Sequence, residues 1–241
     1  GKSTTASGNQ STAMGESTTA SGIRSTAMGN GTAASGDEST AMGKSTEASG
    51  NQSTAMGANS TASGTVSTAM GNATAASGFA STAMGYQTDA SGSNSTAIGR
   101  DTLANGNYST AMGRDTESSG DNSTAMGKST TASGFGSTAI GQHNVLNSGD
   151  AATSFNLTNT ALSIGNGTSS AARSDAFSVL FNGNTTVAGS VTAESLNIAA
   201  LNAAPASASA TGTIGEIKFT ADHIYVCVDD NTWRRVAIAT F

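Results

Sequence analysis

Small residues and a single apolar column alternate along the first 141 positions with a regularity that specifies their structure. Glycine stands at position 1 and at every seventh residue to 141, which makes 21 glycines without a miss. Two seven-residue types alternate, so the true period is 14. One half reads Ser-Thr-Ala-Met-Gly, first as Ser11 to Gly15, and occurs ten times, the last copy being Ser137-Thr138-Ala139-Ile140-Gly141. The other half is looser, as in Thr4-Thr5-Ala6-Ser7-Gly8. Each half offers a short extended stretch, then glycine and two variable positions, and glycine readily takes the φ > 0 conformations of sharp corners. Two short strands and two corners per 14 residues predict one coil of a β-solenoid. Ten coils stacked as parallel strands ~4.8 Å apart make a rod about 50 Å long. A glycine every seventh residue, with many Ser and Thr, opposes a helix.

Strand alternation assigns the faces. In Ser11-Thr12-Ala13-Met14, Ser and Ala point one way, Thr and Met the other. In the second strand Thr4 and Ala6 share a face and position 5 opposes them. The position-5 column includes Glu47, Asp89 and Glu117, which marks it as solvent-facing. The Ser11, Ala13, Thr4 and Ala6 columns stay small, as the inside of a very thin roll requires. That leaves the Thr12 column and the column of Met14, Met28, Met42, Met56, Met70, Met84, Ile98, Met112, Met126 and Ile140 on an outer face. Left in water, this column is a continuous apolar stripe of a kind soluble monomers seldom expose. Burying each side chain stabilises by roughly 1.5–3 kcal/mol, whereas an Ala and Ser interior contributes little against roughly 1–2 kcal/mol of backbone entropy per ordered residue. Burial against identical chains around a shared axis is therefore expected. The alternative, that Met plugs the core of its own roll, is disfavoured because the small columns leave no room for another inward one.

These coils resemble the head repeats of trimeric autotransporter adhesins, the YadA-like parallel left-handed β-roll. In that family the two variable positions of Ser-x-Ala-x-Gly are apolar and meet at the trimer axis. The resemblance thus implies trimer-axis packing for Thr12 and its column and for the Met14 column, position by position in all ten copies. Threonine where Val or Ile is usual implies a more polar axis. The likeness spans residues 1–141, the β-roll head, and implies an all-β, trimeric chain whose roll is followed by small antiparallel β modules.

After Gly141 the register of seven fails. Residues 142–198 are expected to form a β-hairpin connector, with strands at Thr160 to Ile164 before Asn166-Gly167, at Ala176 to Phe181 before Asn182-Gly183, and at Thr185 to Val191, since Asn-Gly favours tight hairpin turns. The stretch from Ala161 through Phe177 is similar to β-segments of bacterial surface fibres and phage tail fibres. Residues 199–213, rich in Ala and Ser with the single proline Pro205, read as a linker. Residues 214–241 are expected to be a β-meander with strands at Glu216–Thr220, His223–Val228 and Thr232–Ala239. Its Gly215-Glu216-Ile217, Tyr225-Val226-Cys227-Val228 and Trp233-Arg234-Arg235 resemble the terminal module of phage tail fibres. No membrane-barrel strands of ~10 residues follow, so either the chain is cut or its fibre is anchored at the other end.

Composition narrows the function classes. Only 11% of residues are charged, the net charge is −6, and Leu, Ile, Val and Phe number seven in the first 141 positions against 24 after them. The first part therefore lacks the bulk for a conventional enzyme core. Ten Lys and Arg, scattered singly, give no footprint for nucleic acid, and no stretch approaches the ~20 apolar residues of a membrane span. The lone Cys227 cannot form an internal disulfide and reads as a small core residue. His143 and His223 sit in different segments and offer no general base. Asp229-Asp230 reads as a turn rather than a calcium loop, and corner glycines without a following lysine pattern form no phosphate cradle. No catalytic group, cofactor or metal site is expected. Trp233, Arg234 and Arg235 are the candidate ligand contacts, although the arginines read more readily as a solvated edge pair. The sequence thus predicts a structural, adhesive homotrimeric fibre segment outside the cell, on a phage tail fibre or a bacterial surface. Its partners would be a host-surface receptor, a glycan or extracellular matrix, and it is not expected to insert into a membrane. The runner-up is an ice-binding Thr-rich β-solenoid.

Overall fold

The computed structural model describes residues 1–195 and 200–238 and divides into two compact units, Gly1–Ser190 and Val191–Phe241. Residues 196–198 of the expected connector, Ala199 of the expected linker and residues 239–241 of the expected meander lie outside the described residues.

The first unit is a β-solenoid of 14-residue coils. Ten five-residue strands, from Thr12–Glu16 to Thr138–Gln142, stack in parallel as one sheet, and ten two-residue strands, from Thr5–Ala6 to Thr131–Ala132, stack as a second. The register is a shift of 14, so like pairs with like, as in Thr68↔Thr82 and Met70↔Met84. Corners stack as well: Val66 N donates to Asn51 O at 2.8 Å and Ala73 N to Ala58 O at 2.8 Å. The space between the sheets holds the small columns, with Thr18, Ala20, Ser25 and Ala27 all buried, and this pattern repeats along the roll. Methionine takes no part in it. The position-5 column lies outside the roll as expected, yet from Thr61 onward it is half-buried rather than freely solvated.

The corner glycines serve two purposes. Those closing Ser-Thr-Ala-Met take left-handed φ, for example +138° at Gly71. The other set does not. A Cβ on Gly64 would overlap the carbonyl oxygen of Gly78 in the next coil, so close backbone approach is what demands glycine there. The left-handed turn in that half falls on a variable position instead, such as Gln52 (φ 59°), Val66 (φ 63°) or Tyr108 (φ 57°). The column before it is braced by short side chains. Ile23 N donates to Asp37 Oδ1 at 2.8 Å, Asp37 N to Asn51 Oδ1 at 3.1 Å, and Asn107 N to Asp121 Oδ1 at 2.8 Å.

The roll does not stop at Gly141. Strand Thr160–Asn166 joins the long-strand sheet in parallel, pairing Ile140↔Ile164 and Gly141↔Gly165. Asp175–Leu180 and Thr185–Val187 then add in antiparallel sense, giving a 13-stranded sheet. Three strands exist as expected, but the third ends at Val187 rather than Val191, and residues 167–174 rather than a tight Asn166-Gly167 turn join the first two. Residues 142–190 extend the head rather than forming a module apart from it, because Leu162-Ser163-Ile164-Gly165 takes the register of Thr-Ala-Met-Gly. The short-strand sheet ends on an amide. Buried Asn144 accepts from Thr131 N at 2.8 Å and donates to Thr131 O at 2.9 Å, as a following strand would. Capping the open edge this way blunts a template for stray pairing.

In the second unit, strands Ile217–Phe219, His223–Asp229 and Thr232–Ala237 form an antiparallel sheet. The segment expected as a linker folds back onto it. Trp233 N donates to Ala208 O at 2.8 Å, its indole Nε1 donates to Ala210 O at 3.0 Å, and Gly212 lies against the ring. The reason is the indole: its apolar area needs cover and its N–H needs an acceptor, and a small-residue segment supplies both.

Two substitutions test the corner assignments by thermal unfolding. Val66→Asn relieves a β-branched residue in left-handed backbone and should stabilise by about 1 kcal/mol. Gly64→Ala forces apart two backbones and should destabilise by about 3 kcal/mol, although Ala is the better residue in most other settings.

Candidate assembly face and surface sites

Every member of the expected axis set lies outside the roll interior. The long strands turn Ala inward and alternate Thr and Met outward, so the Thr12 and Met14 columns run side by side on one sheet face. Within a single chain the inner rungs Met28, Met42, Met56, Met70, Met84, Ile98, Met126 and Ile140 are half-buried, by their neighbours above and below, while Met14 is 52% and Met112 37% exposed. The placement of Met inside its own roll is thereby excluded.

The stripe is longer than the repeat that announced it. Cross-strand pairs share a face, so Ile140↔Ile164, Ile164↔Phe177 and Phe177↔Val187 carry the Met column through the three added strands. Thr138↔Leu162 and Leu162↔Val179 continue the Thr column as apolar residues. The repeat does not announce these rungs, because the spacing from Ile140 to Ile164 breaks the 14-residue period. The signal that remained was the Leu-Ser-Ile-Gly quartet.

Other singled-out residues are placed less favourably for chemistry. Trp233 is only 5% exposed, with its indole nitrogen engaged and Lys218 Nζ 4.8 Å from its ring centre, so the ring is core rather than an open stacking platform. Arg234 and Arg235 are exposed and line, with Tyr225, Trp233 and Pro205 to Ala208, an open groove of about 560 Å³. Cys227 is buried, and its Sγ lies 3.1 Å from Asp229 O. His143 and His223 belong to different units. Burial, with Lys128, Arg173 and Arg114 nearby, holds the His143 imidazole below its ordinary range. Among the described residues no group of three His, Cys, Asp or Glu is placed to hold a metal ion.

The YadA head domain repeat, two copies long, matches the chain at residues 6–32 and in a series of overlapping windows from 34–60 to 118–144. The chain belongs to the YadA head family. The matched head repeats end at Asn144, short of the strand Thr160–Asn166 that continues their sheet. Among curated proteins, the chain is similar to depolymerase 1, capsule K30/K69-specific, of Klebsiella phage K5-2, at 51% identity over 37 residues. That alignment covers 15% of this chain and 5% of the depolymerase. Membership in the YadA head family supports a structural role of adhesin type.

Asp89 gives a pH-dependent check on the outer short-strand face. It stands between Ala75 and Leu103 with Oδ1 buried and unpartnered, and burial raises its pKa above the ordinary carboxylate range. A folded-state pKa above the unfolded one means that the ionised form is the destabilising one. Asp89→Asn should therefore raise the melting temperature at pH 7, and the gain should shrink as pH falls through the raised value.

Proposed function

We infer that this chain is a segment of an extracellular homotrimeric fibre that carries an attachment surface to a host cell or other solid face. The observation that supports it most is the apolar stripe, in register from Met14 to Val187 and outside the roll interior. Thr26-type and Met28-type side chains are half-covered by their own column and are left with one open side. Three copies meeting along that side would remove it from water, each Met contributing a part of the ~1.5–3 kcal/mol of full burial. Family membership agrees, since the resemblance that the repeats carry implies a trimer axis at these same columns.

A phage tail fibre and a bacterial adhesin head remain two settings for one architecture. The similarity to a capsule-specific phage depolymerase favours the first, and the head repeats themselves favour the second. In either case the chain works by spacing and presenting. The repeating interior of Ala, Ser and Thr offers no cleft for a reaction. Ice binding has less support: the Thr column alternates with Met instead of Thr, and the outer short-strand column includes Glu47, Asp89 and Glu117.

Placing carboxylates in the stripe tests this reading. Met56→Asp, Met70→Asp and Met84→Asp together should reduce the mass measured by light scattering threefold. A trimer that survives all three charges would remove the axis assignment.

A further inference from the structure

The second half of the head carries a run of cations that the fold does not require. Tyr86, Arg100, Arg114, Lys128 and Gln142 occupy successive rungs of one column, each paired in register with the next. Arg173 approaches the same end, its Nη1 donating to Ser129 O at 2.9 Å and Asn144 O at 3.1 Å. Four of the seven Lys and Arg in residues 1–190 thus gather here, in a chain of net charge −6. The column itself accepts neutral residues, as Ala58 and Asn72 show on earlier rungs. Like charges on directly paired rungs destabilise a sheet. Asp101 beside Arg100 Nε (3.0 Å) and Asp115 beside Arg114 Nε (3.3 Å) offset part of that cost. They hold each guanidinium by one edge. Among the described residues nothing else engages its terminal nitrogens, and Lys128 has no carboxylate partner.

We propose that this column is a binding track for an acidic, carboxylate-bearing polysaccharide. The polymer would lie along the stack, its carboxylates on Arg100, Arg114 and Lys128 and a sugar face on Tyr86. Charge-assisted bonds from the guanidinium edges suit carboxylates, and successive cations ~4.8 Å apart form a linear array rather than a pocket. Tyr86 is 46% exposed, and Arg100 Cζ lies 5.9 Å from its ring centre. Between them is an open hollow of about 280 Å³. Nucleic acid fits less well: three cations are a small footprint for a phosphate backbone, and one aromatic is too few for a base-stacking platform. The proposal deepens the fibre reading, because an attached fibre needs an outward contact; the column stands two residues beyond the Met column on the same strands, so in a trimer it would flank the seam.

Isothermal titration with oligogalacturonate, alongside neutral dextran, dextran sulfate and single-stranded DNA, tests it. The unaltered chain should bind oligogalacturonate at low salt and weaken as salt rises. Arg100→Gln, Arg114→Gln and Lys128→Gln combined should weaken binding at least tenfold, and Tyr86→Ala severalfold. Light-scattering mass and circular dichroism are recorded on the same samples, and Lys128→Gln alone replaces the triple variant should either change. No binding by the unaltered chain, equal binding by the variants, equal binding of dextran, or tighter binding of dextran sulfate or DNA would each overturn the proposal. A monomer mass with intact, variant-sensitive binding would overturn the fibre reading instead and leave the track standing.

Discussion

The thinness of the roll governs the rest of the molecule. Two sheets close enough to share Ala, Ser and Thr columns leave no interior volume for a larger side chain, and Ala27, Ala69 and Ala97 are wholly buried there. Among the described residues, many interior hydroxyls, such as Thr32 Oγ1, Ser67 Oγ and Thr102 Oγ1, have no hydrogen-bond partner. Such an interior contributes little apolar burial, and an unpaired buried hydroxyl costs about 1–3 kcal/mol. Cohesion must then come from stacking between coils and from large side chains on the outside. Interior poverty and exterior stripe are two sides of one constraint.

That constraint explains how much was legible. With a strict period, each residue type names its own environment: small columns mark the inside, the column holding Glu47 and Asp89 marks the outside, and the Met column marks a face with its own demand for cover. What the period did not carry was lost. Asn144 ends the short-strand sheet through hydrogen bonds to Thr131, which is a property of geometry and not of composition. Val66 and Tyr108 hold left-handed backbone although nothing in their identity advertises it. Residues 199–213 read as a linker because small residues are common to linkers and to segments packed under a bulky ring. Only Trp233, 20 or more positions away, distinguishes the two.

The surface divides in the same way. Columns that stack backbone on backbone are invariant in kind, while those just beyond the corners vary from coil to coil. Binding chemistry can therefore be written into a single column without disturbing the neighbouring ones, and the column from Tyr86 to Lys128 differs from its own earlier rungs only in what it offers to solvent.

The two kinds of corner glycine limit how such a chain can grow. Because both sets admit a close neighbour but only one also turns the backbone, the halves of a coil are not interchangeable, although both carry glycine at the same interval. Duplicating a whole coil lengthens the stack by one strand spacing and keeps every face aligned. Inserting half a coil would preserve the glycine comb and yet rotate the long strands onto the short-strand side, scattering the sulfur atoms around the circumference. Length in this architecture is thus a counted quantity, adjustable only in whole turns.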